Sequence, residues 1–203
     1  MPSTTHLDQC SALSGLDFYL RPLSIADVKS CVIVESAFPE QERCSEEKFT
    51  YRLTQSPTLS LGLFLREPSN DRLIGHVIGN RTSSPVITDG SMLMPEHWRS
   101  LPAGKPLTSG GQLIGNDPNG KTIAMHSVVM TPEFQRGGIG RALVKDYVKY
   151  VKDNMDGERV ALIAHDYLVG FYESAGFENL GVSEVRFAGG GWYDMVLPVG
   201  SRV

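Results

Sequence analysis

No apolar run in these 203 residues is long enough to span a bilayer, so no membrane partner is expected. Cysteine is scarce. Cys10, Cys31 and Cys44 have neither paired nor metal-type spacing, so a disulfide framework and a cysteine-held metal are not expected. Free thiols of this kind fit a reducing, cytoplasmic setting. Positive charge is also in short supply. With 19 Lys and Arg against 23 Asp and Glu the net charge is −4, and a nucleic-acid partner has no bulk electrostatic support. The segment Met1 to Gly15 is polar and lacks the charged-then-apolar pattern of a secretory leader; residues 1–16 are expected to form a flexible tail. What is present is ordinary: 41% hydrophobic and 21% charged residues suit one globular domain over 17–203. No internal repeat is visible, and oligomeric state has no signature in the sequence.

The chain alternates short apolar runs with helical patterns. Asp17 to Leu23 reads as a strand. Ser24 then caps a helix with Asp27 three residues on, and Ile25, Val28, Cys31, Val32 and Phe38 mark its buried side. A second helix is expected from Ser45 to Gln55, then strands at Leu59–Leu65 and Leu73–Gly79 joined by Glu67-Pro68-Ser69-Asn70-Asp71. Residues 82–120 differ in kind, being rich in Ser, Gly, Pro and Asn; they read as a solvated insertion or as a lid over a site. Ile123 to Met130 follows as a central strand, then a helix over Leu143–Val151, a strand at Arg159–Ala164 and a short helix at Leu168–Ser174. A closing hairpin is expected from Val182–Phe187 and Trp192–Val199. The class is mixed α/β.

Between the central strand and its helix stands Gln135-Arg136-Gly137-Gly138-Ile139-Gly140-Arg141. A glycine-rich turn from strand into helix leaves backbone N–H groups unpaired, and the helix dipole adds partial positive charge there. Together they suit the phosphates of a ligand. A Walker-type loop would need Lys-Ser or Lys-Thr after its last glycine, where this chain has Arg141-Ala142. A dinucleotide-binding turn would need the G-x-G-x-x-G spacing in an early βαβ unit, which is also missing.

The pattern Gln-x-x-Gly-x-Gly, carried by Gln135, Gly138 and Gly140, resembles the pyrophosphate motif of the GNAT superfamily of N-acetyltransferases. The order of elements from Asp17 to Val199 resembles that fold as well. Three segments are similar to the branch of serotonin (arylalkylamine) N-acetyltransferases and fungal polyamine acetyltransferases: Ser56–Gly62, Met125–Met130 and Leu168–Phe177. The resemblance implies a GNAT fold, a central mixed twisted sheet of about seven strands flanked by helices. It implies acetyl-CoA as cosubstrate, held by Val128, Val129, Met130, Arg136, Gly137, Gly138, Ile139, Gly140 and Arg141, with no metal. It also implies a small primary amine, arylalkylamine or polyamine, as acceptor. His126 takes the place of the second of two histidines in that branch, and Ala124 stands where the first would be. Alternatives are protein or peptide N-acetylation and a non-catalytic acyl-CoA sensor.

The chemistry sets what the side chains must supply. An ammonium with pKa ~10 is deprotonated about one part in a thousand near pH 7, an effective barrier of roughly 4 kcal/mol. A histidine at ~6.5 suits removal of that proton, and the resemblance gives this role to His126. The leaving thiolate benefits from a hydrogen-bond donor, for which the resemblance points to Tyr172. Backbone N–H groups of the central strand near Val128 are expected to polarise the thioester carbonyl. Glu35, on the helix face of Val28, Cys31 and Val32, is a candidate for attracting a cationic substrate, and the resemblance implies that Phe38 lines its pocket. His76 and His165 have no partner visible in the sequence and are expected to be structural. Cys31 and Cys44 are expected to pack.

Overall fold

The computed structural model describes residues 5–100, 105–109 and 111–200. The chain runs β1 (Phe18–Pro22), α1 (Val28–Glu35), α2 (Glu46–Gln55), β2 (Leu61–Leu65) and β3 (Arg72–Thr82). It continues through α3 (Asp89–Met92), β4 (Leu107–Ser109), β5 (Gln112–Ile114), β6 (Thr122–Met130) and α4 (Ile139–Asn154). It ends with β7 (Arg159–Ala164), α5 (Val169–Glu173), β8 (Glu178–Val182) and β9 (Tyr193–Pro198). Seven strands make one mixed sheet in the order β1-β2-β3-β6-β7-β9-β8, and β4 and β5 form a separate two-stranded hairpin. In the main sheet only β6 and β7 are parallel, joined through α4, the crossover that parallel neighbours require. Among the described residues, no helix is long and apolar enough to cross a membrane.

Helices cover both faces. On one, Val28, Cys31 and Val34 of α1 and Phe49 and Leu53 of α2 pack on Phe64, Ile78 and Val129. On the other, Ile139, Leu143, Val144, Tyr147, Val148 and Val151 of α4 pack with Leu63, Val77, Ile123 and Met125. This is the apolar stripe that the 3.6-residue period predicts. Asp27 caps the first turn as expected, its carboxylate accepting from the Ser24 N–H at 2.8 Å. That turn is 3-10, however, over Ile25–Asp27, and it shifts the phase of α1 against a continuous α-helical count. Ile25 (56% exposed) and Val32 (36%) therefore face out, while Val34 and Glu35 turn inward.

Two further expectations need correction. The first strand of the closing hairpin is Glu178–Val182, not Val182–Phe187. It is a polar edge strand with little apolar alternation, which is why pattern reading passed over it. Residues 5–16 are not a loose tail. Leu7 and Leu13 are buried in the α4-side core. Asp146 of α4 accepts hydrogen bonds from the backbone N–H groups of His6 (2.8 Å) and Leu7 (3.0 Å). Residues 1–4 lie outside the described residues.

The insertion at 82–120 contains α3 and the β4–β5 hairpin; its residues 101–104 and 110 lie outside the described residues. Thr88 and Ser91 cap α3 reciprocally. The Asp89 carboxylate accepts from the N–H groups of Arg186 and Phe187 at 3.0 Å each, tying α3 to the loop before β9. Ile87 and Met92 complete a third apolar cluster with Ala124, Ala161, Val185 and Trp192.

Candidate active site

The site arises from a defect in the sheet. Strands β6 and β7 pair only at Thr122–Arg159, Ile123–Val160 and Ala124–Ala161. Beyond that point Met125–Val128 and Leu162–Ala164 line opposite walls of a cavity instead of bonding to each other. Backbone groups on the open side of β6 are thereby free for a ligand, because a ladder that stops leaves its donors and acceptors unused. The cavity opens, past Phe38, Val128, Leu168 and Tyr172, into a cleft of about 640 Å³ that runs to the glycine turn.

The turn has the conformation its composition requires. Arg136, Gly137 and Gly138 take consecutive φ values of +77°, +64° and +82°. A Cβ on Gly138 would meet nothing within 4 Å, so the space in front of it is open. Among the described residues, the backbone N–H groups of Gly138, Ile139, Gly140 and Arg141 find no backbone or side-chain acceptor; the first bond into the helix is Ala142 N–H to Gly138 O at 3.0 Å. Gln135 is turned back, its Nε2 donating to Met130 O at 3.1 Å, which anchors the loop to the end of β6. Val128, Val129, Met130, Arg136, Gly138, Gly140 and Arg141 line the cleft. Gly137 and Ile139 do not. Gly137 faces the N-terminal segment, its carbonyl accepting from Cys10 Sγ at 3.3 Å, and the Ile139 side chain is in the core.

His126 owes its position to a β-bulge. Ile78 pairs with Ser127 and the next residue, Gly79, pairs with Met125, which leaves His126 as the extra residue on β6. Such an insertion re-aims a side chain. His126 Nε2 donates to Asn80 Oδ1 at 2.8 Å, and Nδ1 lies 3.0 Å from Met92 Sδ. With the proton on Nε2, the Nδ1 lone pair is the basic position. Burial pushes the His126 pKa well below its usual value, and the charges of Arg52 and Lys48 add to the effect. The ring is therefore neutral at physiological pH. Lys48 is itself pulled down to about 8, by burial and by Arg52.

Tyr172 sits where cavity and cleft meet. Phe171 and Phe177 hold its ring edge-on at 5.0 and 5.8 Å between centroids. Among the described residues its hydroxyl has no hydrogen-bond partner. Burial raises its pKa, so it remains a proton donor across the physiological range. Phe38 also borders both spaces. Its carbonyl and that of Ser36 accept from the Arg43 guanidinium at 2.7 and 2.9 Å, which fixes the end of the α1 segment.

Glu35, a candidate for attracting a cationic substrate, lines neither the cavity nor the cleft. It is 2% exposed, with Oε2 bonded to Ser127 Oγ (2.8 Å) and His76 Nε2 (3.0 Å) and Oε1 to the Cys44 N–H (3.0 Å). Burial raises its pKa, but His76, Ser127 and the Cys44 N–H outweigh that and hold it below the carboxylate range. A carboxylate so engaged pins α1 to β3 and β6. Cys31 and Cys44 are buried free thiols, and burial pushes Cys31 up to about 12. His165, expected to be structural, lines the cavity with Glu42, Phe187 and Trp192. Only tertiary structure brings Glu42, from the turn before α2, to the end of β7. The one local signal was the run of buried strand into His165-Asp166.

This geometry has counterparts among known proteins. The acetyltransferase (GNAT) domain family matches residues 107–199. That match covers a little under half of the chain, and the seven-stranded mixed sheet with flanking helices is the GNAT fold. The serotonin N-acetyltransferase of Mesocricetus auratus is 25% identical over 135 residues, 66% of this chain. The match spans about half, 53%, of that enzyme's length. The GphF GNAT-like decarboxylase in complex with isobutyryl-CoA shares the fold at a TM-score of 0.66 and 14% identity, over 89% of this chain and 99% of its own. The ribosomal-protein-S18-alanine N-acetyltransferase of Escherichia coli does so at 0.55 and 16%, over 92% and 96%.

Proposed function

We propose that this chain transfers an acetyl group from acetyl-CoA to a small primary amine, with an arylalkylamine favoured over a polyamine. The observation that carries the reading is the continuous path from the open glycine turn to Tyr172 and His126 at the split between β6 and β7. The pyrophosphate of the cosubstrate fits the N–H groups of Gly138–Arg141, with Arg136 and Arg141 beside it. Its thioester then falls along Val128–Met130. Phe38, Phe187 and Trp192 give the acceptor cavity aromatic walls, which suit an aromatic amine. The charges of Lys48 and Arg52 bear on His126 and would repel a polycation.

The neutral amine attacks the thioester carbon directly, and a Val128 N–H polarises the carbonyl. The His126 Nδ1 lone pair accepts a proton from the attacking nitrogen, after Met92 Sδ gives way to substrate. As the C–S bond breaks, Tyr172 gives its proton to the departing sulfur. Steady-state turnover with phenethylamine, tryptamine, spermidine and an N-terminal peptide tests the assignment. Fastest acetylation of the aromatic amines is the expected result. Preference for the peptide would overturn it, as would coenzyme A binding with no turnover.

A further inference from the structure

The cavity holds a second imidazole that the mechanism above does not use. His165 follows the last residue of β7, opposite the β6 wall that carries His126. Its Nε2 lies 3.3 Å from both carboxylate oxygens of Glu42, a symmetrical approach that places the ring proton on Nε2. Among the described residues, Nδ1 has no hydrogen-bond partner. The ring is held between Trp192 (centroids 4.0 Å apart) and Tyr167 (5.2 Å). The His165 side chain is 25% exposed and that of Glu42 16%, so the pair touches both cavity and solvent.

We infer that His165, oriented by Glu42, takes the proton from the incoming ammonium, leaving His126 for the second proton released after attack. This rests on the amine acetyltransferase reading. The division follows from what each ring is bonded to. His126 is closed off by Asn80 and Met92 and stands near two cations, a poor place to receive a charged amine. His165 has a carboxylate behind it, which holds the proton on Nε2 and leaves the Nδ1 lone pair unpartnered among the described residues. The other charged groups nearby are accounted for. The Asp166 carboxylate accepts from the Tyr167 N–H at 2.7 Å, Arg43 is bonded to backbone carbonyls, and Lys48 Nζ lies 5.6 Å over the Phe187 ring.

The protons balance. The ammonium's first proton passes to His165 Nδ1 and on to solvent, freeing the lone pair. The C–N bond then forms, and the nitrogen's second proton goes to His126 as the C–S bond breaks. Tyr172 protonates the thiolate and recovers a proton by way of the cavity. The net release is one proton per turnover, as amide formation from an ammonium requires.

The test has an arm that needs no turnover. The ring nitrogens of His165 are followed by NMR in the wild-type protein and in Glu42→Gln, which is close to isosteric and should keep the fold. A glutamine amide can donate as well as accept, so the Nε2–H tautomer of His165 should lose its dominance. Adding phenethylamine to the coenzyme A-bound protein should move the His165 resonances. The second arm is the pH profile of kcat/KM. Glu42→Gln and His165→Gln should each lower it about tenfold or more below pH 7.5 and change its acidic limb. His126→Gln should instead lower kcat and leave that limb in place. An unchanged His165 tautomer in Glu42→Gln, or resonances indifferent to an amine that the enzyme turns over, would overturn the pair. So would a His165→Gln profile within twofold of wild type from pH 6 to 9. Absence of turnover with every amine would count against the amine reading alone, because the NMR arm still reports on His165.

Discussion

Replacing Tyr172 by Phe removes one oxygen atom, and the structure says what that should and should not cost. The ring stays, with its edge-on contacts to Phe171 and Phe177. The hydroxyl has no partner among the described residues, so its loss orphans no protein group, and the penalty for stranding a buried donor or acceptor does not arise. A stability change below about 0.5 kcal/mol follows, or roughly 2 °C in Tm for a chain of this size. The effect on rate should be far larger. If the hydroxyl meets the sulfur only as the C–S bond breaks, its removal raises the barrier and leaves binding alone. Loss of a positioned acid of this kind is worth ~10² or more, about 2.7 kcal/mol. The assay is single turnover with acetyl-CoA saturating, so that product release cannot hide the chemical step, alongside calorimetry of coenzyme A binding and a thermal melt. A hundredfold slower step with unchanged affinity and Tm is expected. A single-turnover rate within twofold of wild type refutes the role. A drop in Tm beyond about 4 °C would show instead that the hydroxyl is structural.

Gly138→Asp sets a carboxylate in the open space of the glycine turn at a φ of +82°. Backbone strain of about 1–2 kcal/mol is expected, with coenzyme A affinity down at least a hundredfold; calorimetry showing unchanged affinity would remove the loop from the cosubstrate site. Glu35→Gln breaks a buried charged network, and a loss of about 3–5 kcal/mol at pH 7 should appear in urea unfolding. The Glu35 pKa is depressed in the folded state, so its contribution is present above the unfolded carboxylate value and is lost as pH falls through the folded one. Wild-type stability should fall on that acid descent more steeply than the variant's, and equal slopes would contradict the shift. Leu7→Ala should destabilise by about 2–5 kcal/mol, measured the same way, because Leu7 is a core residue; a change under ~0.5 kcal/mol would mean that residues 5–16 do not hold the position described.

Much of this protein is written locally. The period of Ile139, Leu143, Val144, Tyr147 and Val151 specifies α4 and the face it buries, because every residue in that pattern answers to one helix geometry. Gly137 and Gly138 announce a turn with left-handed backbone, and both take positive φ there, as does Arg136 before them. Ser24 with Asp27, and Ser45, mark helix starts that side-chain bonds then close. What depends on distant pairing was not legible. The bulge that makes His126 an extra residue lies in the register between β3 and β6, and neither strand encodes it alone. Glu35 looks from its own helix like a surface acid, and it becomes a buried anchor because His76 and Ser127, 41 and 92 residues away, converge on it. Residues 5–16 are polar in composition, yet Leu7 and Leu13 find a groove on α4 that forms only when the helix has packed. Glu42 and His165, 123 residues apart, meet across the mouth of a cavity that exists because β6 and β7 stop pairing after Ala124 and Ala161. Spacing along the chain records only local geometry. A hydrogen bond between remote side chains is decided when the sheet sets its order and register.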